Sequence, residues 1–293
     1  ALPILFALNH LYRSVWKEVD AAKRVFLEED TRLLALDPRA LGDAELADHV
    51  RRVIEFHAQV NHKALMVSFL STQAEDDFQH MVDTLNKGLP EAEQVAMGNL
   101  LTGLGEVKTT RPLVDLWDLA QQASLSSTLS EIIRQAPESE MLSRLEACAE
   151  GRAFAHNLRQ YVQRYAYMAS GDEDFTAPRW IDDPTCVLTT LKSYVEGGAY
   201  ESPAVMLSRQ AETRRRERDR VRRLLNRNLA NRLLPFRKRT FFSQMLLVRR
   251  YCWWREETRD VLARAHYQCH RFVTELGRRW AAGGRTDDPL DIF

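Results

Sequence analysis

Glycine is scarce, with twelve in 293 residues. A parallel α/β fold or a β-sandwich draws on more turn glycine than that, so the shortage favours helices. No run of about 18 apolar residues exists, which excludes a membrane-spanning helix. An excess of charge is missing too: Lys+Arg and Asp+Glu both number 41, and a balanced chain has no overall pull toward a polyanion. The four cysteines, Cys148, Cys186, Cys252 and Cys269, form no CxxC pair. Their spacing fits a reducing, cytoplasmic setting better than a disulfide framework. The start, Ala1-Leu2-Pro3-Ile4-Leu5-Phe6, has neither an initiator Met nor the basic region and cleavage site of a signal peptide. It enters a helical pattern almost at once and reads as the edge of a piece of a longer protein.

What is present is ordinary globular material, 45% apolar and 28% charged, patterned for helices. Ile4, Leu8, Leu11, Val15, Val19, Ala22 and Phe26 recur every three or four residues, the stripe of an amphipathic helix that Leu36-Asp37-Pro38 ends. Asp43 stands as an N-cap before a second stripe, Leu46-Val50-Val53-Val60-Val67. Pro90, Gly103–Gly105, Pro112 and Pro137 punctuate shorter helices. A non-helical stretch follows from Ser170 to Pro184, and then two long helices, roughly 204–233 and 236–282, hinged at Pro235. The expected fold is therefore all-α, an irregular multi-helix bundle whose two long C-terminal helices lie antiparallel. It is expected as one domain, 1–293, with a helical lobe (1–169), an acidic loop and short helix (170–200), and the long helix pair (201–293).

Three features could carry chemistry. Stepping four and three from Phe241 along the last helix gives Met245, Val248, Cys252, Arg255, Arg259, Leu262, His266, Cys269, Val273, Leu276 and Trp280. Arg255, Arg259 and His266 are the polar intruders on a face that otherwise points inward. An unpaired interior charge costs several kcal/mol, so these groups should meet anions or line a wet cavity. Two arginines one turn apart can grip a phosphate or carboxylate. Internal ion pairs with a satisfied core histidine explain the same pattern. The second feature is a run rich in arginine from Arg209 to Arg250, whose only acidic residues between 209 and 222 are Glu212, Glu217 and Asp219. It lacks interleaved aromatics between 205 and 235 and any reading module, so nucleic acid is disfavoured and a solvated face meeting an acidic surface elsewhere in the parent protein is the simpler reading. The third is the acidic loop with Asp172, Glu173, Asp174, Asp182 and Asp183, whose spacing is not that of an EF-hand. These acids fit helix capping and pairing with arginines, with Phe175 and Trp180 pinning the loop. His266 and His270 have no third ligand in view, so no metal site is expected.

Several segments together resemble a known family. Trp254-Arg255-Glu256-Glu257-Thr258-Arg259 is followed by Glu275-Leu276-Gly277-Arg278-Arg279 and closes on Asp287-Asp288-Pro289-Leu290-Asp291-Ile292-Phe293. Leu41-Gly42-Asp43-Ala44-Glu45-Leu46 and Asp174 through Pro184, read as D-x-x-x-P-R-W-x-x-D-P, fit as well. In this order they resemble the central helical region of phosphoenolpyruvate-synthase-like proteins, especially rifampin phosphotransferases. The resemblance implies an acceptor-binding domain of a larger enzyme. There an ATP-grasp domain would charge a histidine on a swivelling domain, which would carry the phosphoryl group to a small-molecule acceptor held by the helices. It implies ATP and Mg for the full-length enzyme, no cofactor in this piece, and no activity for the piece alone.

The resemblance also places the family's catalytic Arg and Lys on Arg255 and Arg259, with Arg at 259 where the family has Lys. Relatives often read Tyr-Gly-His-Arg where this chain has Tyr165-Ala166-Tyr167-Met168. Substrate contacts are expected from His266 and from the aromatics Tyr251, Trp253, Trp254, Phe242 and Trp180, because helical pockets for drug-sized ligands are mostly apolar. Two alternatives stand beside this reading: an ATP-driven condensation or dehydration in the same architecture, and a non-enzymatic interaction module that uses the arginine-rich helix.

Overall fold

The computed structural model describes residues 2–105, 107–169, 174–197, 201–227 and 236–293, with side chains from Ser14 onward. Within them the chain forms α1 (Leu2–Leu34), α2 (Asp43–Asn86), α3 (Met97–Leu101), α4 (Arg111–Ser124), α5 (Ser127–Gln135), α6 (Glu138–Ala147), α7 (Ala149–Arg164), α8 (Thr185–Val195), α9 (Pro203–Arg227) and α10 (Phe236–Ala282). Among the described residues the only extended pairing is an isolated bridge between Ala169 and Arg179. The all-α expectation holds, and no described helix is long and apolar enough to cross a membrane. Pro235, the expected hinge, and the expected end of the helix begun near 204 lie outside the described residues, as do Asp172 and Glu173 of the acidic loop.

Local chemistry explains the element boundaries. Asp37 accepts the Arg39 N–H at 3.0 Å and, with Pro38, starts a 3-10 turn that stops α1 from continuing. Asp43 is the first residue of α2 rather than its cap; the Gly42 N–H is met instead by the Glu45 carboxylate at 3.1 Å. Ser126 Oγ accepts from Leu129 N at 3.2 Å to cap α5, and the Cys148 sulfur accepts from Gly151 N at 3.1 Å to open α7. Pro137, Pro184 and Pro203 each stand at a helix start, where the missing N–H costs nothing.

The chain divides into two compact units, neither of which is one continuous stretch: the first is Ala1–Ala64, Asp115–Tyr200 and Thr258–Phe293, the second Leu65–Val114 and Glu201–Glu257. The first unit has two apolar clusters. One gathers Leu116, Ile133, Met141, Leu145, Leu158 and Leu191 from α4 to α8. The other gathers Leu33, Leu46, Val53, Ala265 and Phe272 from α1, α2 and α10. The C-terminal run also belongs to the first unit. Asp288 and Asp291 form a capping box around the 3-10 turn Pro289–Ile292, and Phe293 stacks on Phe175 with ring centroids 5.9 Å apart. A Cβ on Gly277 would come within 2.0 Å of the Pro289 carbonyl oxygen, so only glycine lets this run lie against α10.

Candidate functional site

In the second unit, two arginines of α9, Arg214 and Arg220, bond to backbone carbonyls. Arg214 donates to the carbonyls of Thr102 and Gly103, and Arg249 of α10 donates to Leu101, Thr102 and Gly103 at 2.7–2.9 Å. These are carbonyls at and beyond the C-terminus of α3, which a helix leaves without partners. Arg220 reaches Gln94 O at 2.9 Å and Ala92 O at 3.3 Å, while Arg227 pairs with Glu93 at 2.8 Å. Glu217, buried, accepts the Ala96 N–H at 2.8 Å. Arg216 and Arg222 pair with Glu212 and Asp219 on α9 itself. Arg215, Arg216, Arg218, Arg222 and Arg223 are exposed, in keeping with the solvated face expected from sequence, while Arg214 and Arg220 reach carbonyls of the 92–103 segment, which leave no mark in the pattern of charged residues.

Arg255 also belongs to the second unit. Its side chain is 37% exposed and Nη1 donates to Glu75 Oε1 at 2.9 Å. Ser71 Oγ donates to the same oxygen at 2.8 Å, and the Cys252 sulfur lies 3.5 Å from it. Burial, with Glu75 nearby, pushes the Cys252 thiol up to about 11, so it stays protonated. Glu256 Oε1 stands 4.0 Å from Arg255 Nε, and its other oxygen accepts from Thr109 Oγ1 at 3.1 Å. Glu257, 3% exposed, accepts the Lys108 N–H at 3.0 Å. Half-exposed and backed by a hydrogen-bonded carboxylate, Arg255 can hold a charge at a fixed place while keeping a face toward solvent.

Of the aromatics proposed for ligand contact, Tyr251 and Trp254 are each 3% exposed and form part of the second unit's core. Trp253 and Phe242 are half-buried, and Arg218 lies over the Phe242 ring at 6.0 Å. An apolar hollow of about 530 Å³ opens among Met81, Leu85, Leu224, Phe236 and Phe241. Thr240, on its rim, lies 15 residues before Arg255 on one helix, about 22 Å along the axis, so this hollow does not adjoin the arginine.

The first unit uses its charges differently. Tyr167 OH donates to Asp260 Oδ1 at 2.6 Å, Arg264 Nε to Asp260 Oδ2 at 3.0 Å, and Gln268 Nε2 to Asp30 Oδ1 at 2.6 Å. Arg264 also pairs with Asp30 at 3.4 Å and lies 4.1 Å from the centre of the Tyr167 ring. Asp30, Asp260 and Gln268 are all buried. His266 is 4% exposed: Nδ1 meets Leu262 O at 3.0 Å, and its ring lies 4.5 Å from His57 and 4.6 Å from Phe175. Burial and then His266 lower His57 to about 4. His270 bridges Phe175 O at 2.8 Å and Asp182 at 3.3 Å, and that hydrogen bond holds Asp182 below the usual carboxylate range.

The loop acids thus serve the loop. Asp174 accepts from Thr176 N and Oγ1, and Asp183 accepts from Thr185 N at the start of α8. The described acids Asp174, Asp182 and Asp183 pair with turn amides, a hydroxyl and a histidine. Trp180 packs on the α4–α8 cluster, near-parallel to Tyr161 at 6.3 Å. Among the described residues no group of three or more His, Cys, Asp or Glu could hold a metal.

Arg259 falls in the first unit and is exposed, so the inward stripe read from sequence does not hold there. The stripe is buried at Cys252 before Arg259 and again at His266, Cys269 and Val273 after it. Arg255 and His266, by contrast, do sit where that face predicts partial or full burial.

Fold and site together define an all-helical domain in which one long helix carries a half-exposed, carboxylate-backed arginine. Residues 45–256 match the family described as the rifampicin phosphotransferase fourth domain, and the chain belongs to that family. It is therefore a helical domain of a phosphotransferase-like kind. No curated protein matches the chain. The matched span takes in Arg255, Glu75 and the loop to Pro184, and ends before Arg259 and His266.

Proposed function

We propose that this chain is the acceptor-binding domain of an ATP-dependent phosphotransferase, in which a swivelling phosphohistidine domain delivers the phosphoryl group and Arg255 receives its charge. The acceptor is a small molecule, and rifampicin, named in the family's description, is the first to try. ATP and Mg act in the ATP-grasp domain of the same enzyme, outside this chain. The four free thiols are in keeping with a cytoplasmic setting.

The observation that carries the reading is the Arg255 guanidinium itself, within the family's matched span, part-exposed and held at 2.9 Å by Glu75. Phosphoryl transfer asks little covalent chemistry of the protein; it asks for charge fixed where the transferring group passes. Half-buried Trp253 and Phe242 offer apolar contact to the acceptor, and the buried Tyr251 and Trp254 support them. His266 and Trp180 act by shaping the first unit. The arginine tract's bonds to this chain's own carbonyls argue against its use as a polyanion-binding face.

The test is Arg255→Ala in the full-length enzyme. Transfer to rifampicin should fall about 100-fold or more, the usual loss for one oxyanion-stabilising group, while ATP-dependent histidine phosphorylation continues at its normal rate. Unchanged product formation defeats the proposal.

A further inference from the structure

Three donors converge on one oxygen of Glu75: Ser71 Oγ at 2.8 Å, Arg255 Nη1 at 2.9 Å and the Cys252 sulfur at 3.5 Å, all on Oε1. Among the described residues none donates to Oε2, and the Glu75 side chain is 26% exposed. Such an arrangement fixes the carboxylate plane and leaves one acceptor oxygen for something that arrives. The neighbouring acids are used otherwise, Glu256 on Thr109 and Glu257 on the Lys108 amide. An arriving anion would be repelled by Oε2, and a neutral apolar group would leave it desolvated, so the partner that fits is a hydrogen-bond donor.

Resting on the function proposed above, we infer that Glu75 is the proton acceptor for the attacking hydroxyl of the acceptor. The hydroxyl proton passes to Glu75 Oε2 while an oxygen lone pair forms the new O–P bond. The P–N bond of the phosphohistidine donor breaks, and its electron pair returns to a ring protonated at the other nitrogen, which leaves as neutral imidazole. Arg255, 2.9 Å from the same carboxylate, is placed to stay with the phosphoryl oxygens as the proton leaves. Ser71 is a positioning residue that keeps Oε1 occupied.

The experiment uses the full-length enzyme, its histidine phosphorylated with labelled ATP, and follows discharge to rifampicin as the probe acceptor. Glu75→Gln keeps shape and an acceptor for Arg255 but takes up no proton. Discharge should slow about 100-fold with histidine phosphorylation intact, the ordinary worth of a general base. The fall in rate on the acid side of the pH profile should also vanish, an effect that mere loss of packing does not produce. Glu75→Asp should recover part of the rate and restore that acid limb; it also serves if the glutamine variant does not fold. Normal discharge by Glu75→Gln, with Arg255→Ala inactive, overturns this inference and leaves the function standing. Normal discharge by Arg255→Ala, or no rifampicin-stimulated discharge by the unsubstituted enzyme, overturns both.

Discussion

The two units treat charge in opposite ways. In the first, Asp30, Asp260, Arg264 and Gln268 bond one another and are sealed, three of the four being buried. In the second, Arg255 keeps more than a third of its side chain in solvent, with a carboxylate behind it. The same helix, α10, contributes to both. A buried network that satisfies all its members holds a core in one arrangement and has nothing left to offer a ligand. Placement, and not residue type, separates architecture from chemistry here.

Removing a member of the sealed network is the severest way to strain the comparison. Asp260→Ala leaves Arg264 and Tyr167 OH without their main acceptor and should cost about 3–5 kcal/mol, read by urea unfolding. A loss below about 1 kcal/mol would mean that the network is not structural. Next comes Gly277→Ala, whose Cβ meets Pro289 O at 2.0 Å. Overpacking of this kind costs about 1–3 kcal/mol and should free the C-terminal run, which faster proteolysis of 285–293 would report.

Acidity sharpens the comparison further, since the strongly lowered groups belong to the first unit. Burial and His266 hold His57 at about 4 instead of 6.5. The fold therefore favours the neutral ring, the unfolded chain takes the proton first, and stability present above pH 6.5 declines as pH falls toward 4. Glu275, held at about 2 instead of 4.5 by Arg278 and Arg279, gives a second decline between those two values. Each is on the order of 2 kcal/mol. His57→Phe should erase the upper decline and Glu275→Gln the lower, in melting temperatures taken across pH. The smallest effect concerns the thiols. Burial pushes Cys269 up to about 12 and Cys252 up to about 11, whereas Cys148 and Cys186 are only half-buried. A thiol reagent should label the latter two in the native protein and the former pair only on unfolding.

Much of the fold was legible in the residues. Apolar spacing located α1, α2 and α10, and Asp37-Pro38, Pro137, Pro184 and Pro203 marked boundaries that the structure keeps, because caps and imino residues act locally. Arg255 stood out for a similar reason, as a charge on an otherwise apolar face. Glu75 did not, since 180 residues separate it from Arg255 and nothing in its own helix singles it out. The arginines of α9 announced their charge but not the main-chain carbonyls that Arg214 and Arg220 reach. Arg259 was read inward because a four-three spacing treats every position of the stripe alike, although Arg259 is exposed between buried Cys252 and His266. Tyr251 and Trp254 were read as ligand contacts from residue type alone, and type does not tell a core aromatic from a pocket one.

Arg255→Ala and Arg264→Ala, compared in the full-length enzyme for both unfolding free energy and transfer rate per folded molecule, test the division most directly. The account predicts a crossed result. Arg255→Ala should lose about 100-fold in transfer with less than about 1 kcal/mol of stability. Arg264→Ala should lose about 3–5 kcal/mol with transfer per folded molecule retained. Equal losses of rate in the two variants, or a stability loss confined to Arg255→Ala, would contradict it.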